Sequence, residues 1–115
     1  MANTKIYDMP FSELYRLYVA KAEKKNRSKE EVNNLIYWLT GYNKESLEMI
    51  LKNDISVRMF FNHALNFNPK ANLITGNICG VKIEEITDPL MKRIRYLDKL
   101  IDELAKGKPL SKILR

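Results

Sequence analysis

The sequence predicts a mainly α fold, a compact bundle of five or six helices around a long C-terminal helix, and three observations predict it. Apolar residues recur at helical spacing along most of the chain, capping residues punctuate those stripes, and the stripes follow one another with little room for strands between them. The long helix is the stretch from Asp88 to Gly107. Asp88 suits the N-cap, Pro89 the first helical position, where its missing N–H loses nothing, and Gly107 the left-handed closing residue. Leu90, Ile94, Leu97, Ile101 and Leu104 step by four and three, and Leu100 widens the stripe, so one face must be buried. Outside that face Asp102 precedes Lys106 by four residues, the favourable order for a helical ion pair.

The preceding elements are read in order. Met1 to Met9 reads as an irregular lead-in with Ile6, Tyr7 and Met9 laid across the core. A first helix begins near Pro10 with Phe11, Leu14, Tyr15, Tyr18, Val19 and Ala22 on one face, and ends in the basic run Lys24, Lys25, Asn26 and Arg27, whose cations suit a helix C-terminus. Ser28 and Glu31 form a capping box for a second helix carrying Val32, Leu35, Ile36 and Leu39, which Gly41 stops. Asn43 caps a third, Lys44 to Lys52, that buries Leu47, Ile50 and Leu51. Asp54 or Ser56 starts a fourth with Val57, Phe60, Phe61 and Ala64. Asn68 and Pro69 start a further short turn, with Leu73 and Ile74 apolar. The rival reading of residues 73–83 is a minor short β-hairpin that turns at Gly76 and Asn77. Leu110, Ile113 and Leu114 form a tail expected to fold back as one more turn of helix. Met91 and Leu100 flank the long stripe and, if exposed, would offer a strip to a second copy.

A chain of 115 residues with 45% hydrophobic content fits one domain, residues 1–115. Twenty Lys and Arg stand against fourteen Asp and Glu, a net charge of +6. From Pro89 to Arg115 there are eight basic and three acidic residues, so this quarter carries +5. Such charge admits a nucleic-acid surface, but a solvated helix face explains it with less. Cys79 is the only cysteine, which excludes an intramolecular disulfide and fits a reducing cytoplasm. No apolar run approaches the roughly 18 residues of a membrane span, and the N-terminus lacks an export signal.

The chemistry-bearing residues assemble no complete motif. One Cys and one His cannot build a zinc site, and Gly76 and Gly80 match neither phosphate-loop pattern. Cys79 with His63 as base is weighed against a buried, inert thiol, and the second reading is preferred because Ile78 and Val81 are apolar. Glu84, Glu85 and Asp88 could hold magnesium or act as acid and base, yet acidic residues at a helix start are favoured by the dipole and by capping. Trp38, Tyr42, Phe60 and Phe61 could stack bases, but on apolar stripes they read as core. The sequence assigns no catalytic residue, cofactor or metal.

The stretches KAEKKNRSKEEV, WLTGY, ITGNICG, EEITDPLMKRIRYLDKLIDELAKGKP and KILR resemble a family of small bacterial proteins called domain of unknown function 2200. The likeness spans nearly the whole chain. It implies a compact, mainly helical bacterial protein and brings no activity, cofactor or catalytic residue with it. The leading expectation is a non-enzymatic, cytoplasmic binding or interaction domain with a protein partner or a weak homodimer. The alternatives are a nucleic-acid-binding protein using the basic helical surface, and a small enzyme or ligand binder using the 38–42 and 75–88 loops. The candidate ligand or partner surface is Trp38, Thr40, Tyr42, Thr75, Asn77, Cys79, Glu84, Glu85, Arg93 and Arg95.

Overall fold

The computed structural model describes residues 5–115. Along them run α1 (Lys5–Asp8), α2 (Phe11–Glu23), α3 (Lys29–Thr40), α4 (Lys44–Lys52) and α5 (Val57–Asn62), a 3-10 turn over Pro69–Leu73, then β1 (Asn77–Ile78) and β2 (Val81–Lys82). A second 3-10 turn over Ile83–Glu85 leads into α6 (Pro89–Ala105), and α7 (Leu110–Ile113) follows. The described chain is thus mainly helical with one small antiparallel hairpin, as the sequence predicts.

The helices begin where local chemistry satisfies their first amides. Ser28 Oγ accepts from Glu31 N–H at 3.1 Å while Glu31 Oε1 accepts from Ser28 N–H at 3.0 Å, closing a capping box. Asn43 and Ser46 exchange the same pair of bonds ahead of α4. Ser56, rather than Asp54, caps α5, and Asn68 and Asp88 cap the elements that follow them. α2 closes on Asn26 in the left-handed region, φ 62°, with Arg27 N–H returning to Ala22 O at 3.0 Å. Gly41 closes α3 at φ 80°, and a Cβ there would lie 2.7 Å from Asn66 Cβ, so both the turn and the close approach require glycine.

α6 is the centre of the packing. It lies against α2, α3, α5, α7 and β1, and Ile94, Leu97, Leu100, Ile101 and Leu104 are all buried. Met91 and Leu100 are buried as well, so the strip that their exposure would have offered to a second copy is occupied by the protein's own core. On the other side of α2, Phe11 stacks on Phe60 with ring centroids 3.6 Å apart, and Phe61 meets Phe60 edge-on.

Three expectations are corrected. The lead-in is not irregular throughout: Lys5–Asp8 is a turn of helix, with Tyr7 buried, its hydroxyl bonded to Asp88. Residues 1–4 lie outside the described residues. Chain pairing fixes this segment from a distance, since Val57 N–H donates to Met9 O at 2.9 Å and Phe11 N–H to Ile55 O at 2.8 Å. The short helical turn and the hairpin, read as rivals, both exist in succession, and the hairpin turns at Cys79 and Gly80 instead of Gly76 and Asn77. Both turn residues have positive φ, 53° and 77°, as a two-residue type I′ turn requires. Cys79 is therefore exposed at the hairpin tip, not buried: the turn aims it outward although its neighbours are apolar. Among the described residues no helix is long and apolar enough to cross a membrane.

Candidate functional site

The residues singled out in the sequence separate into two groups on opposite sides of α6. Arg93 and Arg95 are two positions apart, roughly 200° around a helix, and so cannot share a face. Arg93 Nη1 donates to Phe61 O at 2.7 Å and its guanidinium lies 4.2 Å from the Phe67 ring centroid, which ties it to the 38–42 loop, where Asn68 Nδ2 donates to Trp38 O at 3.0 Å. In that loop Thr40 is buried, its hydroxyl donating to Ile36 O and accepting from Tyr42 N–H, and Tyr42 donates to Phe60 O at 2.6 Å. Trp38 and Tyr42 are half-buried. These polar groups hold the loop shut against α5.

The second group lies at the hairpin. Glu84 accepts from Gly76 N–H at 2.8 Å, which bridges the base of the hairpin and holds its carboxyl below the usual range. Lys99 donates to Asn77 O at 3.1 Å. Arg95 Nη1 donates to Asp98 Oδ2 at 2.7 Å, and Tyr18 donates to the other oxygen of Asp98. Burial, then the Asp98 charge, pushes the Tyr18 phenol well above its ordinary value. Thr75, Asn77, Cys79 and Glu85 are exposed. Asp88 accepts from Tyr7 and from Leu90 N–H, so it is spent on capping and on anchoring α1. Among the described residues no group of three or more His, Cys, Asp or Glu could hold a metal ion.

The basic C-terminal quarter is likewise engaged internally. Lys106 pairs with Asp102 at 3.0 Å, Arg115 with Glu103 at 2.6 Å and Lys108 with Glu103 at 3.8 Å. Together with Arg93, Arg95 and Lys99, six of its eight cations hold the protein's own groups.

Further polar groups line a concavity on another face. α3 packs on α2 and α6, α4 packs on α2, and a groove of about 670 Å³ opens between α3 and α4. One wall is Glu30, Asn33, Asn34 and Tyr37 of α3; the other is Lys44, Leu47, Glu48 and Leu51 of α4. Each set repeats at i, i+3, i+4 and i+7, the spacing that aligns side chains on one helix face, and the two capping boxes fix where those faces begin. Tyr15 of α2 adds to the lining and donates to Asn33 Oδ1 at 2.6 Å, which leaves the Asn33 Nδ2 donors without a partner among the described residues. Burial, then the carboxylates of Glu48 and Glu30, holds the Tyr37 phenol above its ordinary value.

Sequence reasoning missed this groove because each wall reads as a solvated helix face. A signal was present: Asn33 and Asn34 occupy the middle of a helix, where asparagine is a poor former and has no capping task. Residues that oppose their own helix and do not cap it mark a surface with another use.

Comparison with known proteins decides the family. Residues 5–115 match the family described as an uncharacterized protein conserved in bacteria, DUF2200. The chain belongs to this family. It is also similar to the crystal structure of the uncharacterized protein SP1917, with a TM-score of 0.94 and 44% identity over 98% of this chain and 93% of that one. No curated protein matches the chain. This DUF2200 protein thus shares its whole fold with a solved relative, and neither comparison carries an activity.

Proposed function

We propose that this DUF2200 protein is a non-enzymatic, cytoplasmic binding domain that takes its partner in the groove between α3 and α4. One observation carries the reading: Asn33 Nδ2 and the Asn34 side-chain amide, in a concave site beside a half-buried tyrosine, make no hydrogen bond among the described residues. Elsewhere the polar groups that could have served chemistry are consumed by the fold, Glu84 on the Gly76 amide and Asp88 on Tyr7. The same accounting disfavours nucleic acid at the C-terminal quarter, because six of its eight cations hold the protein's own groups.

An affinity capture from the native host with the full chain, run beside Asn34→Lys and Tyr37→Ala, tests the proposal. A bound species retained by the wild type and lost by both folded variants is the expected result. A species retained equally by all three would move the site away from the groove.

A further inference from the structure

The lining of the groove rules out most classes of ligand. Lys29 and Glu30 stand on the α3 wall and Lys44 and Glu48 on the α4 wall, so each wall carries one charge of each sign and the groove has no net charge. A polyanion would meet the two carboxylates, and a polycation the two ammonium groups. Leu47 is only 2% exposed and Leu51 is half-buried, so an apolar ligand finds no open seat either. None of the four charges forms an ion pair among the described residues, although the two on each wall lie close in sequence.

A neutral ligand whose groups both donate and accept fits what remains. Asn33 Oδ1 takes the Tyr15 hydroxyl while its Nδ2 donors stay without a partner, and Asn34 keeps its whole side-chain amide, donors and acceptor together. The Tyr37 phenol makes no hydrogen bond among the described residues and is held protonated by burial and by the carboxylates of Glu48 and Glu30, so it offers an O–H. Both walls therefore present donors and acceptors. A hydroxyl matches such a set, because it gives a hydrogen bond to a carboxylate and takes one from an ammonium or an amide at the same time. A peptide main chain has one donor and one acceptor per residue and brings side chains for which the groove has no seat. A sugar carries hydroxyls around its edge, and its C–H face lies well on the negative face of an aromatic ring, which Tyr37 supplies. We infer that the groove binds a neutral oligosaccharide, its hydroxyls held by Asn33, Asn34 and the Lys and Glu side chains and one ring face laid on Tyr37. The volume of about 670 Å³ lies among those of small-molecule sites, roughly 300–1,000 Å³, and takes more than one sugar ring. The inference rests on the groove being the binding site and adds the class of its occupant.

An array of neutral di- to tetrasaccharides, with acidic glycans and a random peptide pool beside them, is probed with the full chain, and the ligands retained are titrated into the 15N-labelled protein. At least one neutral oligosaccharide is expected to shift the amides of Asn33, Asn34 and Tyr37, with an affinity that changes less than about twofold between about 0.05 and 0.5 M salt. Asn34→Ala, which alters an exposed side chain, should weaken that binding by about threefold to tenfold. Tyr37→Phe keeps the ring and should retain more of the binding than Tyr37→Ala. Acidic glycans or peptides that shift the groove while no neutral saccharide does, or an affinity that falls steeply with salt, would overturn the neutral occupant and leave the groove as the site. If nothing on the array perturbs the groove, yet the captured species still depends on Asn34 and Tyr37, the saccharide class is wrong. Shifts confined to residues outside the groove would overturn the inference and count against the groove itself.

Discussion

Arg27 caps a helix that begins more than sixty residues beyond it: Nη1 donates to Leu104 O at 3.1 Å and to Lys108 O at 2.9 Å, at the C-terminal end of α6. Its other nitrogens grip Glu31, with Nη2 2.7 Å from Oε2. One guanidinium thus joins the end of α2, the start of α3 and the last carbonyls of α6, a task that needs the planar fork of arginine. The basic run after α2 does serve a helix C-terminus, chiefly that of α6 rather than its own.

Arg27→Ala should therefore lower stability by about 1–3 kcal/mol, since it orphans carbonyls and a carboxylate together. Arg27→Lys should recover less than half of the loss. Urea unfolding of the three proteins measures this, and full rescue by lysine would show that charge alone matters.

The same contact makes stability depend on acid. The Arg27 hydrogen bonds, then the Ser28 amide, hold the Glu31 carboxyl down from 4.5 to about 2. A depressed folded pKa gives stabilisation that is complete above the ordinary value and is lost as pH falls through the folded one. The stability difference between wild type and Glu31→Gln should thus shrink from about pH 5 to about pH 2. A constant difference across that range would exclude Glu31 as the titrating group.

Cys79 sits at φ 53° in a turn position that favours asparagine. Cys79→Asn creates an Asn-Gly type I′ turn and should raise stability by a few tenths to about 1 kcal/mol. Native Cys79 should react with a thiol reagent nearly as fast as in the denatured chain, because it is exposed. Slow native labelling would place the thiol under cover.

What the sequence disclosed and what it hid follow one division. Ser28, Asn43, Ser56, Asn68 and Asp88 cap through bonds to residues two or three positions away, so their chemistry is local and legible. The turn at Lys5–Asp8 depends on Tyr7 meeting Asp88 and on Met9 pairing with Val57, and no window of sequence contains those partners. The hairpin is one of the two readings the sequence offers for residues 73–83, but its turn lies at Cys79 and Gly80 rather than Gly76 and Asn77, because a cysteine supplies one of the positive φ values. Of the surface expected around Trp38 and Arg93, nearly every polar atom named turns inward, while Asn33 and Tyr37 became a groove wall only when α2 held α3 and α4 apart.

Leu97 is fully buried in α6, and Leu97→Ala should cost about 2–5 kcal/mol. With Met91 and Leu100 also buried, the unfolding midpoint should not change with protein concentration. A midpoint that rises with concentration would show that subunits share this core.

The most direct test of the central claim places a photo-crosslinking residue at position 34, in the groove, or at position 77, on the hairpin, of the full chain expressed in its native host. Irradiation should yield a discrete crosslinked partner from position 34 and none from position 77. A partner captured from position 77 and not from position 34 would contradict the assignment of the α3–α4 groove as the binding surface.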